Sequence, residues 1–195
     1  LAKLVKQKQP DDLSAEKALQ LADALAAFLD ESTIEQTDLS LLQNLVPDTF
    51  AAHWQETLKF LEIITAMRPE ILKEEGVIDA AARQVRLFKA QADYWRENPP
   101  PHPIIAAGST GSQPATAMLL DAVASLPNGL VILPGLDLIS DDETFAAVEP
   151  SHPQYHLKRL LERMNITRAD VKEYGQKAPD SERLRLICEA MRSAA

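Results

Sequence analysis

Gly108-Ser109-Thr110-Gly111-Ser112 lies between a short apolar run, Ile104–Ala107, and a helix-forming segment. The order strand, glycine-rich turn, helix is the usual cradle for a phosphate, because backbone N–H groups and a helix N-terminus face one point. This loop holds no Lys, so it fails the Walker A pattern, and its spacing fails the dinucleotide fingerprint. It holds no Asp or Glu either, so nothing in it places a metal ion. Two readings stand. One is a tight strand-to-helix turn, with Ser112 as N-cap and Pro114 in the first helical turn. The other is the shell of a nucleotide site stripped of its chemistry, able to hold an anion only through bare N–H groups.

Other chemistry-bearing residues are sparse. His152 and His156 are four apart on a segment that reads as helix, the spacing that puts two imidazoles on one face for a metal. No third ligand is evident, which favours surface or capping roles and leaves the expected metal set empty. Cys188 shares an amphipathic segment with Leu184 and Ile187 and reads as a small core hydrophobe rather than a nucleophile. Lys158, Arg159 and Arg163 cluster, as do Arg183, Arg185 and Arg192, and either group suits a phosphate backbone. Interspersed Glu162, Glu182 and Glu189 suit a solvated face. Trp54 and Trp95 fall on apolar helix faces and read as core, not as base-stacking platforms. No catalytic constellation emerges.

The elements that must position these residues fall in two parts. From Leu13 to Glu97 the pattern is helical: Leu21, Leu25, Phe28 and Leu29 make one face, and Thr37–Leu45 forms a shorter amphipathic segment. Asp48 is a candidate N-cap for a helix carrying Phe50, Trp54, Leu58, Leu61 and Ile64 on one side, until Pro69 interrupts it. Gly76 is a stop, and Asp79 caps a further helix whose Val85, Phe88 and Trp95 share a face. Asn98-Pro99-Pro100-Pro101 ends it, giving an expected boundary between residues 1–98, all helical, and 99–195. After that boundary, strands over 104–107 and 130–133 flank a helix from about Gln113 to Ser125, a parallel βαβ unit with a right-handed crossover. A helix capped by Ser151 or His152 starts at Pro153 and runs to Met164. Thr167-x-x-Asp170 has the form of a capping box, and Asp180 opens the last helix. The fold class is mainly α with a small α/β element. Two strands make no stable sheet alone, so the β part either completes a larger sheet or leaves an exposed edge.

Composition narrows the partners. A net charge of −9 over 195 residues argues against gripping nucleic acid by charge alone, since phosphate neutralisation needs clustered Lys and Arg. One cysteine excludes a disulfide framework or a cysteine-based zinc site within the chain, and a reducing, cytoplasmic setting is expected. No apolar run approaches the ~18 residues of a membrane span, and no signal-peptide pattern follows Lys3, Lys6 and Lys8. The chain opens at Leu1 rather than Met and closes on Ser193-Ala194-Ala195, and an excised fragment of a longer protein is expected.

Three stretches carry a family resemblance: Ala106-Ala107-Gly108-Ser109-Thr110-Gly111-Ser112-x-Pro114-Ala115-Thr116, Leu133-Pro134-Gly135-Leu136-Asp137 and His152-Pro153-Gln154-Tyr155. With His53–Leu58, they make most of the chain resemble the AddB subunit family of alphaproteobacterial AddAB double-strand-break repair complexes. The resemblance implies a fragment of the helicase-like half of a much longer protein, of superfamily-one type. The family's nuclease domain, iron–sulfur cluster and Mg²⁺ would lie outside this region, so no cofactor is expected here. In active helicases of that type the comparable strand ends in an Asp-Glu pair that holds Mg²⁺ and activates water. Gly108–Ser112 stands in its place, a phosphate-loop remnant. Gly135 and Asp137 then echo a sensor motif, and Asp137 alone cannot replace the missing pair.

The function so implied is a non-catalytic scaffold. It would shape DNA channels, dock an AddA-like motor subunit and meet DNA through the parent complex, with Lys158, Arg159 and Arg163 as candidate DNA contacts. The helical part would correspond to the subdomain inserted into the helicase core. Two other classes remain open from the residues: a small nucleotide- or phosphate-binding protein using Gly108–Ser112 and Asp137, and a helical adaptor that binds only protein.

Overall fold

A computed structural model describes residues 1–8, 14–44, 61–173 and 182–191. The chain gathers into two compact units, Leu1–Leu87 and Phe88–Ala195.

In the first unit, α1 (Ala2–Lys8) packs against α2 (Ala15–Ile34). Ser14 starts α2 as N-cap, its hydroxyl accepting the Lys17 N–H at 3.3 Å. The buried line of α2 is Ala18, Ala22, Leu25, Leu29 and Ser32. This corrects the apolar face expected from Leu21 and Phe28, which are 37% and 39% exposed. Two alanines let α1 approach closely, so Val5 becomes fully buried against the seam while the larger side chains flank it. Ile63 is buried in the same cluster. The expected segment at Thr37–Leu45 is a 3-10 helix over Leu39–Asn44. Asp48, Phe50, Trp54 and Leu58 lie outside the described residues.

Pro69 does not interrupt the helical path as expected. A π-turn over Ile63–Met67, closed by the Arg68 N–H on the Ile63 carbonyl, widens the backbone immediately before α3 (Arg68–Glu75). Pro69 therefore occupies the first turn of α3, where a missing N–H costs little. Gly76 ends α3 in the left-handed conformation, as expected. Asp79 precedes α4 (Ala80–Glu97), with its carbonyl accepting from Arg83 and its carboxylate paired with Arg68, Nε to Oδ2 at 3.3 Å. The division between the units falls inside α4, on which Val85, Phe88 and Trp95 are half-buried.

The second unit holds the expected parallel pair. β1 (Ile104–Ala107) and β2 (Gly129–Ile132) pair with Ile104 opposite Gly129 and Ala107 opposite Ile132, joined by α5 (Pro114–Ala124). β2 begins one residue earlier than the apolar run Leu130–Leu133 suggests. Gly129 is required there: a Cβ would meet the Val123 carbonyl oxygen at 1.8 Å, so only glycine lets the strand start so close to the end of α5. Ala106, Val131 and Leu133 pack on Ala117 and Leu120 of α5 and on Leu160 of α7 (Tyr155–Met164). The other sheet face carries Ile105 and Leu130, both exposed.

A short α6 (Asp142–Ala146) follows β2, capped by Asp141, which accepts the Thr144 N–H at 2.7 Å. α6 and the turn after it bury Phe145 and Val148 against Leu161 of α7. α7 starts at Tyr155, not Pro153, because the residues from Pro150 to Gln154 form turns. The capping box at Thr167 and Asp170 is present, each closing on the other across a 3-10 turn. The last helix, α8 (Glu182–Ala190), begins beyond Asp180, which lies outside the described residues.

Candidate functional site

The glycine loop is folded in on itself. Gly108 and Gly111 both take positive φ, 79° and 65°. The Gly108 N–H continues the ladder to the Ile132 carbonyl at 3.0 Å, and the Gly111 N–H is taken by the Ser109 hydroxyl at 3.3 Å. Gly111 is buried, and a Cβ on it would lie 3.1 Å from Leu160 Cδ1. Two of the amides that would face an anion are therefore spent inside the fold, and the back of the loop rests on α7. Thr110 is half-buried and Ser112 exposed. Ser112 is not the N-cap of α5. That place belongs to Gln113, in extended conformation with Pro114 following at the first helical position.

The richest polar geometry lies after β2, at Gly135–Ser140. Asp137 folds the chain around its own carboxylate: Oδ1 accepts the N–H groups of Ile139 at 2.8 Å and Ser140 at 3.1 Å, and Oδ2 accepts the Ser140 hydroxyl at 2.6 Å. Burial pushes this carboxyl up. The Ser140 hydroxyl, the two amides and the Cys188 thiol together outweigh that effect and hold it below the ordinary carboxylate range. Gln154 grips the same segment from outside, accepting the Asp137 N–H at 3.0 Å and donating to the Gly135 carbonyl at 2.9 Å. Arg168 completes the frame. Its Nη1 donates to the carbonyls of Asp137 and Ser140 at 3.1 and 2.9 Å, its Nη2 pairs with Asp142, and its guanidinium lies 4.5 Å over the Phe145 ring.

Beside this loop is a cavity of about 190 Å³, walled by Asp137, Val148, Pro153, Ile187, Cys188 and Met191. His152 also lines it, with its Nδ1 accepting the Gln154 N–H at 3.1 Å and its Nε2 2.8 Å from the Met191 carbonyl. Through its two nitrogens the ring bridges the Pro150–Gln154 turns and the end of α8. His152 precedes α7 and His156 is exposed on it, so the two do not share a helix face as a metal pair. No group of three metal-ligating side chains occurs among the described residues. Cys188 is half-buried rather than a core residue, and its thiol points at Asp137 Oδ1, 3.6 Å away. Burial first, then the Asp137 charge, pushes the thiol's pKa up, so it stays protonated and donates.

The basic cluster is divided in its roles. Lys158 is half-buried, its ammonium donating to the carbonyls of Ala146 and Val148, where it caps the end of α6. Arg159 and Arg163 are exposed. Arg159 reaches the Tyr155 hydroxyl at 3.2 Å and Glu162 at 3.8 Å. Arg185 is exposed on α8, while Arg192 lies outside the described residues.

The residues that sequence reasoning missed here are Gln154 as a clamp, Arg168 as the pin, and the thiol contact of Cys188. The chain matches no family model, no curated protein and no solved structure. Among the described residues, no helix is long and apolar enough to cross a membrane.

Proposed function

We propose that this chain is a non-catalytic scaffold segment of a helicase-like subunit, resembling AddB, in a DNA double-strand-break repair helicase–nuclease. One observation carries the reading: the strand-to-helix loop at Gly108–Ser112 has neither carboxylate nor lysine, and its Gly108 and Gly111 amides are bonded within the fold. A motor site without an acidic pair loses metal placement and water activation together, each commonly worth several kcal/mol of barrier. Asp137, the remaining acidic echo, has its carboxylate held by the Ile139 N–H and the Ser140 hydroxyl of its own turn. What persists is a rigid frame. Gln154, Arg168 and Lys158 tie three loops to α6 and α7, which suits a body that holds shape for a partner. In this role the AddA-like motor subunit supplies the ATP chemistry. Exposed Arg159 and Arg163 offer the DNA-facing charge within an otherwise acidic chain.

Calorimetric titration of the protein with Mg·ATP, run beside a co-elution assay with an AddA-like subunit and forked DNA, tests this reading. The expected outcome is no saturable nucleotide binding, with co-elution weakened in the Arg159→Glu, Arg163→Glu double variant when DNA is present. Saturable Mg·ATP binding or ATP hydrolysis overturns it.

A further inference from the structure

The cavity beside Asp137 has the composition of a ligand site, and its chemistry is not that of a nucleotide. We propose that it binds a small molecule carrying an ammonium group on a compact apolar body. The inference does not rest on the scaffold reading, because it uses neither the glycine loop nor a partner subunit.

Size sets the first limit. A dry apolar cavity of about 150 Å³ admits benzene, so about 190 Å³ takes one six-membered ring or a branched alkyl group with a short polar arm. Val148, Pro153 and Ile187 give apolar walls, while Met191 and Cys188 add polarizable sulfur that adapts to an irregular ligand. Pockets of this kind take affinity from their walls and orientation from a few polar groups.

Charge sets the second limit. Among the described residues, Asp137 is the only formally charged side chain in the lining, and it forms no ion pair. Among the described residues, its Oδ1 takes three donors, from Ile139, Ser140 and Cys188, whereas Oδ2 takes the Ser140 hydroxyl alone and retains acceptor capacity. The adjacent guanidinium of Arg168 is spent on two backbone carbonyls, the Ser140 hydroxyl and Asp142. Both ring nitrogens of His152 are engaged, as are both ends of the Gln154 amide. The unspent polarity of the cavity is therefore negative. A half-buried carboxylate in such surroundings attracts a cation more strongly than an exposed one and repels an anion.

Benzylamine is a suitable probe, with benzyl alcohol and benzoate as isosteres of zero and negative charge. Amide chemical-shift titration of the protein reads both affinity and location. The expected result is saturable binding of benzylamine in the millimolar range, at least about tenfold tighter than benzyl alcohol, with shifts centred on residues 137–154 and 187–191 and no saturation by benzoate. Asp137→Asn keeps a side-chain acceptor for the Ile139 and Ser140 amides and should abolish the preference for the amine. Ile187→Trp, at a half-exposed wall position away from the Asp137 turn, should fill the cavity and abolish binding of both neutral and cationic probes. Equal affinity for benzylamine and benzyl alcohol, unchanged binding in Ile187→Trp, or no saturation by benzylamine overturns the proposal. None of these results bears on Mg·ATP, so failure here and failure of the scaffold reading remain separable.

Discussion

Gln154 holds Asp137 by its backbone while Asp137 holds the rest of its turn by its carboxylate. The Gln154 amide accepts the Asp137 N–H at 3.0 Å and donates to the Gly135 carbonyl at 2.9 Å, so one side chain spans a whole peptide step of a neighbouring loop. The two stretches Leu133–Asp137 and His152–Tyr155 are thereby one structural unit. Replacing Gln154 by Met keeps length and volume but leaves the half-buried Asp137 N–H without this partner. The expected loss is about 1–2 kcal/mol. Urea unfolding measures it, and a cost within error of zero would show that water substitutes for the amide.

Arg168 gives a larger expectation, because its side chain is only 10% exposed and serves several acceptors at once. Arg168→Met retains an apolar stem over Phe145 and removes every donor. Arg168→Lys retains the charge but not the fork that reaches two carbonyls and Asp142 together. Both variants should lose about 2 kcal/mol or more, with Lys recovering little of it. Full recovery by Lys would mean that charge, not geometry, holds the 137–142 turn.

Legibility in the sequence followed the range of the interaction. The strands stood out because Ile104-Ile105 and Leu130-Val131-Ile132 are apolar runs bounded by proline and glycine, and the capping box at Thr167 and Asp170 closes within four residues. The start of β2 at Gly129 is not legible in the sequence, because a glycine reads locally as turn and only the nearby Val123 carbonyl explains its place in the strand. On α2, the period was readable but not which side faced α1, since that depends on the partner's shape rather than on hydrophobicity. Gln154 lies 17 residues from Asp137 and Arg168 lies 31 from it. Single polar residues at such separations carry no periodic signal, so the frame around Asp137 was invisible until the fold brought it together. Lys158 illustrates the same limit: its place in a basic run says nothing of the Ala146 and Val148 carbonyls that it meets at the end of α6.

Gly111 is strained against substitution in two separable ways. Its φ of 65° disfavours any Cβ, and that Cβ would meet Leu160 at 3.1 Å. Gly111→Ala should cost about 1–3 kcal/mol, from backbone strain and crowding together. Leu160→Ala relieves only the crowding. In a double-mutant cycle, the Gly111→Ala penalty should shrink on the Leu160→Ala background while a residue of about 1 kcal/mol persists. An unchanged penalty would show that Leu160 moves aside freely.

Acid should loosen the Asp137 turn before it unfolds the chain. The Asp137 carboxyl sits below its ordinary value in the folded state, because hydrogen bonds from Ser140, Ile139 and Cys188 outweigh the opposing effect of burial. A depressed folded pKa means that the unfolded chain binds the proton more readily. The stabilisation is therefore complete above the ordinary carboxylate pKa, declines as pH falls below it, and is gone once pH passes the lower folded value. Asp137→Asn should remove this component, flattening stability against pH across that acid window while lowering it at neutral pH. Thermal melts of both proteins from neutral pH down through the carboxylate range measure the difference. Parallel curves for the two proteins would mean that Asp137 does not contribute to the acid dependence and that its turn is held by Gln154 and Arg168 alone.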